Sequence, residues 1–171
     1  MNNQKVLVFG SGISGIGATR LLEQVGREEI LYDGNASLDA EKIKKQIGEH
    51  TKAEVILGDL QEDVMKTLDL VVMSPGVPTD LPVVDQMRDM GIPIWGEIEL
   101  AFTYGKGDVL AITGTTGKTT TTALLGEIMK NYKESVYVVG NIGNPYTEVA
   151  LDMSEESVAV AEVSSFQLET I

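Results

Sequence analysis

Ala111-Ile112-Thr113-Gly114-Thr115-Thr116-Gly117-Lys118-Thr119-Thr120 follows a short apolar run, Val109 to Ile112, that reads as a buried strand. After it, Thr121 to Lys130 reads as a helix with Leu124, Leu125, Ile128 and Met129 on one face. Strand, glycine-bearing loop, Lys-Thr and helix, in that order, build a polyphosphate cradle. Gly114 and Gly117 let the backbone approach a ligand, and amides at the helix N-terminus point at the anion. Lys118 can reach the outer phosphates, and the Thr119 hydroxyl can hold Mg²⁺. The spacing departs from the standard loop, because Ile112 stands where the first glycine of Gly-x-x-x-x-Gly-Lys-[Ser/Thr] would be. The bland alternative is a Gly/Thr turn that caps a helix and leaves Lys118 on the surface.

Working outward to the N-terminus, Lys5 to Phe9 reads as a fully buried strand, and Gly10-Ser11-Gly12-Ile13-Ser14-Gly15 follows at once. A helix then runs to about Val25 with Ile16, Leu21 and Leu22 inward. Gly10, Gly12 and Gly15 fit Gly-x-Gly-x-x-Gly. The first glycine permits a tight turn, the second lets backbone meet phosphate, and the third lets helix pack on strand. Glu29 to Asp33 is a second strand, and Asp33 falls where such folds place a group that binds a ribose or base. The motif says nucleotide without saying which.

Asp39 to Ile47 is a charged amphipathic helix, Glu54 to Leu57 a short strand, and Leu70 to Met73 another buried strand. Ser74-Pro75-Gly76-Val77-Pro78 follows, either a plain turn or a ligand loop beyond a strand's C-terminal end. Leu81 to Met90 is a helix with Val84, Met87 and Met90 inward, Pro93 to Trp95 a strand, and Glu97 to Phe102 the start of a helix. Trp95 and the methionines are read as core. Tyr104 to Asp108 is the convincing linker, which divides the chain into residues 1–105 and 106–171. Val136 to Val139 and Val158 to Val163 are further strands, and Ser164 to Glu169 begins a helix that Ser164 or Ser165 caps. Alternating strands and helices argue for an α/β fold, a Rossmann-like parallel sheet followed by the start of a P-loop ATPase-type α/β domain. A three-stranded parallel sheet needs cover on both faces, which the residues after 107 are too few to supply, so the second domain is expected to be incomplete.

The composition is that of an ordinary soluble globular chain, at 43% hydrophobic and 23% charged residues. A net charge of −13 argues against nonspecific nucleic-acid binding, which needs a positive surface. There is no cysteine, hence no disulfide framework or thiolate chemistry, and the lone His50 lies in a polar segment. The N-terminus runs straight into a strand and shows no signal peptide, and no apolar run approaches the ~20 residues of a membrane span. A cytoplasmic protein with no membrane partner is expected.

Glu162, a carboxylate at the C-terminal end of a strand beside a phosphate loop, suits a Mg²⁺ ligand, and its bland alternative is a solvent-facing acid. Two nucleotide-type loops suggest two phosphorylated ligands. An enzyme that joins a nucleotide-linked substrate to something else, using ATP, fits them better than a hydride-transfer enzyme.

Six stretches carry a resemblance: Gly10 to Gly15, Ser74 to Val77, Gly96-Glu97-Ile98-Glu99-Leu100, Thr113 to Thr120, Gly140-Asn141-Ile142-Gly143, and Glu162-Val163-Ser164-Ser165-Phe166-Gln167-Leu168-Glu169. They resemble, in the family's order and over nearly the whole chain, the N-terminal part of the Mur ligases, most closely the branch that adds D-glutamate. Thr116 departs from the family's usual asparagine, a change that a loop working through backbone amides should tolerate. The resemblance implies a domain for a UDP substrate, a central ATPase domain and a C-terminal domain. It implies ATP-dependent amide formation, by a monomeric enzyme, between UDP-N-acetylmuramoyl-L-alanine and D-glutamate through an acyl phosphate, with ATP and Mg²⁺ bound. Gly114, Thr115, Thr116, Gly117, Lys118, Thr119 and Thr120 would hold ATP, with Lys118 and Glu162 catalytic and Thr119 and Glu162 on Mg²⁺. Gly12, Ile13, Ser14 and Gly15 would take the diphosphate of UDP. Asp33 and the Ser74, Pro75 and Gly76 turn would take the uridine and its neighbours, and Asn141 the reacting end. Further family groups, including a modified lysine and a histidine, would lie beyond residue 171, so the chain alone is expected to bind without turnover.

Rival readings are a NAD-binding domain of a dehydrogenase, supported by Gly10 to Gly15 and Asp33 but not by the phosphate loop, and another Mur ligase. A folylpolyglutamate-synthase-like ligase shares the loop but begins near it. A non-enzymatic binding module also describes a chain that binds without chemistry.

Overall fold

The computed structural model describes residues 4–141, 143–165 and 167–170. Ile142 and Phe166, each part of a stretch quoted above, lie outside the described residues. The chain divides into two compact units, Met1–Glu97 and Ile98–Ile171.

The first unit is built from β1 (Lys5–Phe9), α1 (Ile13–Gln24), β2 (Glu28–Asp33), α2 (Ala40–Ile47), β3 (Glu54–Leu57), α3 (Glu62–Met65), β4 (Leu70–Met73), α4 (Pro82–Asp89) and β5 (Ile94–Gly96). Its five strands are all parallel, in the order β3-β2-β1-β4-β5. The uninterrupted apolar runs of β1 and β4 follow from their central places, where both faces are covered. Leu7, Phe9, Ile30, Tyr32, Val71 and Met73 pack on one face with Met65, Val84 and Met87. Ile16, Leu21 and Leu22 of α1 are buried as expected. Asp39 caps α2 by accepting from Glu41 N–H and Lys42 N–H. The carbonyls of Gln46 and Ile47 at the other end of α2 accept from the Arg20 guanidinium of α1. Trp95 is only half-buried, contrary to its reading as core, because β5 is an edge strand. The short α3 has too few turns to leave a periodic signal and was not expected.

The chain moves from β1 outward to β3, then returns to the other side of β1 with β4. The loops after β1 and β4 therefore leave the sheet side by side at its C-terminal edge, the crevice where open α/β sheets bind ligands. At this turn Gly10 adopts φ +107°, and a β-carbon at Gly15 would lie 1.8 Å from the Gly10 carbonyl oxygen. The helix meets the strand so closely that only hydrogen fits.

The second unit holds α5 (Glu97–Tyr104), which begins on the last residue of the first, then β6 (Asp108–Ile112), α6 (Lys118–Met129), β7 (Ser135–Gly140), α7 (Tyr146–Val149), a 3-10 turn at Ala150–Asp152, β8 (Ser157–Glu162) and a 3-10 turn at Gln167–Thr170. The division between the two compact units falls before α5. Tyr146 is buried against the end of α5, its hydroxyl 2.9 Å from where a Gly105 β-carbon would stand. The three strands are parallel in the order β6-β8-β7, so the last strand in sequence is the central one and is wholly buried.

The face of α6 differs from expectation. Leu124 and Ile128 are 60% and 44% exposed, and the buried residues are Thr122 and Gly126. A β-carbon at Gly126 would come within 2.5 Å of Val138 Cγ2, so the helix lies on β7 by its smallest residues rather than its most apolar ones. The Thr122 hydroxyl is satisfied by the Lys118 carbonyl at 2.8 Å.

Gly15→Ala should lower the stability of the first unit by about 1–3 kcal/mol or more, read by urea unfolding, since the clash is with backbone that cannot rotate away. A second expectation concerns Glu29, buried at the start of β2. Burial first, then the negative charge of Glu23, raises its pKa from 4.5 to about 7; hydrogen bonding with its own backbone opposes the rise and Glu28 adds to it. The folded state then holds a proton that the unfolded chain has released, so stability falls as pH rises from 4.5 through 7. Glu29→Gln should gain stability over the parent by on the order of 3 kcal/mol between pH 4 and pH 8.

Candidate functional site

In the first unit, Gly10, Ser11, Gly12, Ile13, Ser14, Asp33, Ser74, Pro75, Gly76 and Val77 line a cleft of about 370 Å³ at the C-terminal edge of the sheet. Two loops meet here because β1 and β4 are neighbours, and Ser74 ties them by donating its hydroxyl to the Gly10 carbonyl at 3.3 Å. Gly12 is the N-cap of α1 and has no side chain to occupy the helix's first amides, which therefore face the cleft as an anion seat. A β-carbon placed on Gly12 would meet nothing among the described residues within 4 Å. Ile13 projects with 75% exposure. The sequence grouped Gly15 with the residues that meet the ligand, but Gly15 is buried beneath Gly10 and is not among the lining residues.

Asp33 lies in the cleft wall with its carboxylate already engaged. Its Oδ2 accepts from Ser11 N–H at 3.0 Å and from the Ser11 hydroxyl at 2.6 Å, and its Oδ1 accepts from Asn35 N–H at 3.0 Å. Burial pushes the Asp33 pKa up, but the hydrogen bonds from the Ser11 hydroxyl, Asn35 and the Ser11 amide outweigh it and bring the carboxyl below its ordinary value. The part of Ser11 was missed in the sequence. Its signal is the parallel register of β1 on β2, Phe9 beside Tyr32, which brings the next residues of both strands together and depends on knowing which strands are neighbours.

In the second unit the loop from Thr113 to Gly117 joins β6 to α6, with Gly117 as the N-cap at φ +76°. Thr113, Gly114, Thr115, Thr116, Thr119 and Thr120 are exposed, with no side chain among the described residues capping the helix. Lys118 folds back over the loop, its Nζ donating to the Gly114 carbonyl at 2.8 Å. Register places Glu162, the last residue of β8, between Ile112 at the end of β6 and Gly140 at the end of β7. Glu162 is buried, not solvent-facing as the bland alternative had it. Its Oε2 has no hydrogen-bond partner among the described residues. A β-carbon at Gly140 would lie 2.2 Å from the Glu162 carbonyl oxygen, which also accepts from Asn141 N–H at 3.2 Å, so Asn141 is held beside the same strand end. Beyond it, Ser164 and Gln167 form a reciprocal cap: Ser164 N–H donates to Gln167 Oε1 at 2.8 Å, and Gln167 N–H donates to Ser164 Oγ at 3.3 Å.

An orphaned, buried carboxylate oxygen beside a phosphate-type loop fits a hard cation. No group of three or more acidic, histidine or cysteine residues that could hold a metal occurs among the described residues. A single buried carboxylate beside a phosphate-type loop is the kind of donor Mg²⁺ accepts when waters and phosphate oxygens fill the rest of its shell. No helix among the described residues is long and apolar enough to cross a membrane.

Comparison with known proteins agrees with the geometry. Residues 4–96 match the Mur ligase MurD-like N-terminal domain, and residues 112–170 match the Mur ligase middle domain. The chain is 56% identical over 171 residues to UDP-N-acetylmuramoylalanine–D-glutamate ligase of Lachnospira eligens, covering 100% of this chain and 38% of the relative. It is 54% identical over 168 residues to the ligase of the same name from Lachnoclostridium phytofermentans, covering 98% and 37%. The chain thus spans 38% of the length of the first of these relatives. A murein peptide ligase from Psychrobacter arcticus shares the fold with a TM-score of 0.55 at 17% identity, over 95% of this chain and 39% of that one. A pseudomurein peptide ligase type C from Methanothermus fervidus does so with 0.53 at 23% identity, over 95% and 33%. With domain models of one family matched in both units, as the motifs led us to expect, this chain belongs to the Mur ligase family.

Proposed function

We propose that residues 4–96 hold the UDP end of a UDP-N-acetylmuramoyl-L-alanine substrate, and that the second unit supplies part of an ATP site in an enzyme that adds D-glutamate to it in cytoplasmic peptidoglycan precursor synthesis. The observation that carries this reading is the pairing, in one chain, of two anion seats at the C-terminal ends of parallel strands, one with an orphaned carboxylate beside it. The names of the relatives supply the substrates.

On this reading the diphosphate rests on the amides from Gly12 to Ser14, and Asp33 with the Ser74, Pro75 and Gly76 turn meets the uridine. The ATP phosphates rest on the amides from Gly114 to Thr120. Lys118, released from the Gly114 carbonyl, neutralises the outer phosphate oxygens. Thr119 and Glu162 would hold Mg²⁺, which when bound draws charge from the phosphate oxygens. The alanyl carboxylate attacks the γ-phosphorus, and ADP leaves. The amine of D-glutamate then attacks the acyl phosphate carbonyl, loses a proton, and phosphate departs from the tetrahedral intermediate. Asn141, fixed beside Glu162, contacts the reacting end.

Calorimetric titration of this chain should show saturable binding of UDP-N-acetylmuramoyl-L-alanine and none of NADH, and Gly12→Ala should weaken the binding without lowering the melting temperature. Binding of NADH alone would return the dehydrogenase reading. In the full-length protein, ADP release should require both the muramoyl-alanine substrate and D-glutamate. Lys118→Ala should cut that release at least about a hundredfold.

A further inference from the structure

Ser11 stands second in the glycine loop, and the proposed function gives it no role. Both of its donors, N–H and hydroxyl, meet one oxygen, Asp33 Oδ2. A carboxylate offers about four lone-pair positions. Ser11 fills two and Asn35 N–H a third, which leaves one on Oδ1. Hydrogen bonds to an ionised acceptor are the stronger kind, and the 2.6 Å hydroxyl contact is of that type. The clasp joins the loop after β1 to the end of β2, where a second link runs from Gly10 N–H to the Tyr32 carbonyl at 2.8 Å. Between these anchors and Gly15, locked under Gly10, only Gly12 to Ser14 are left to receive a ligand.

We propose that Ser11 is a positioning residue, which through Asp33 holds the glycine loop in its anion-receiving shape before ligand arrives and limits Asp33 to a single ligand donor on Oδ1. This rests on reading the cleft as a nucleoside diphosphate site. A loop ordered in advance loses less freedom on binding, so the clasp contributes affinity without touching the diphosphate. The hydroxyl is what distinguishes Ser11, since any residue but proline could offer the amide there.

The experiment uses UDP as the probe, with dissociation constants for the parent, Ser11→Ala, Ser11→Thr, Asp33→Asn and the Ser11→Ala/Asp33→Asn double variant, and with amide exchange of Ser11 and Gly12 in the free chain. Ser11→Ala should bind UDP about tenfold more weakly, Ser11→Thr should restore the binding, and the double variant should be no worse than Asp33→Asn alone. Equal binding by Ser11→Ala and the parent, or losses that simply add, would overturn the proposal. If the parent itself fails to bind UDP, the functional reading of the cleft fails, and the exchange data then decide the clasp alone. Exchange of the two amides about tenfold faster in Ser11→Ala supports it, and unchanged exchange sinks it.

Discussion

A missing methyl group decides where the helix of the first unit can go. With a side chain at position 15, α1 would have to retreat from the Gly10 carbonyl oxygen, which would stand 1.8 Å from the β-carbon. Retreat would take Leu21 and Leu22 out of the core and carry the helix N-terminus away from the end of β1. The second unit meets the same demand at Gly140, where a β-carbon would lie 2.2 Å from the Glu162 carbonyl oxygen. In the first unit the loop leaves the parallel sheet so close to the strand end that the first amides of α1, capped by no side chain, face the cleft. That is what a seat for a phosphate group requires.

The same geometry would let a chain of net charge −13 receive an anion, as the proposed function requires. Among the described residues that line the first cleft none is basic, and Asp33 adds a negative charge. Attraction there is short-ranged, from the first amides of α1 and the partial positive charge of its N-terminus, with no field to gather ligand from a distance. Asp33 is tolerated because Ser11 and Asn35 direct three donors at it and spread its charge into the wall. The loop of the second unit has one cation, and Lys118 keeps it inside the loop by bonding the Gly114 carbonyl.

Much of this was legible in the sequence because its signals are local. The apolar runs of β1, β3 and β4 ended where the structure ends them, and the glycine spacing located both loops. What escaped notice depends on which elements are neighbours. The place of β8 at the centre of its sheet, the Ser11–Asp33 clasp and the partial burial of Trp95 on an edge strand all follow from pairing, which periodicity does not encode. The face of α6 misleads for a related reason. Leu124 and Ile128 do form a stripe, but contact at Gly126 decides which side meets β7, and a rule that looks for apolar bulk passes over a glycine.

Two buried acids separate structural from functional placement. Glu29 sits at the N-terminal start of β2, away from the loops at the sheet's C-terminal edge, and burial among other carboxylates pushes it toward holding a proton. A neutral acid needs no ligand, and an amide could replace it. Glu162 sits at the opposite end of its strand, between the residues from which the Thr113–Gly117 loop and the Gly140–Asn141 turn depart. One of its oxygens is buried without a partner among the described residues, a cost of about 1–3 kcal/mol or more that an apolar side chain of similar size would avoid. Folding alone gives no reason for a carboxylate at that spot. On the proposed reading, a cation brought in with a phosphate ligand would supply the missing partner when the loop beside it is filled.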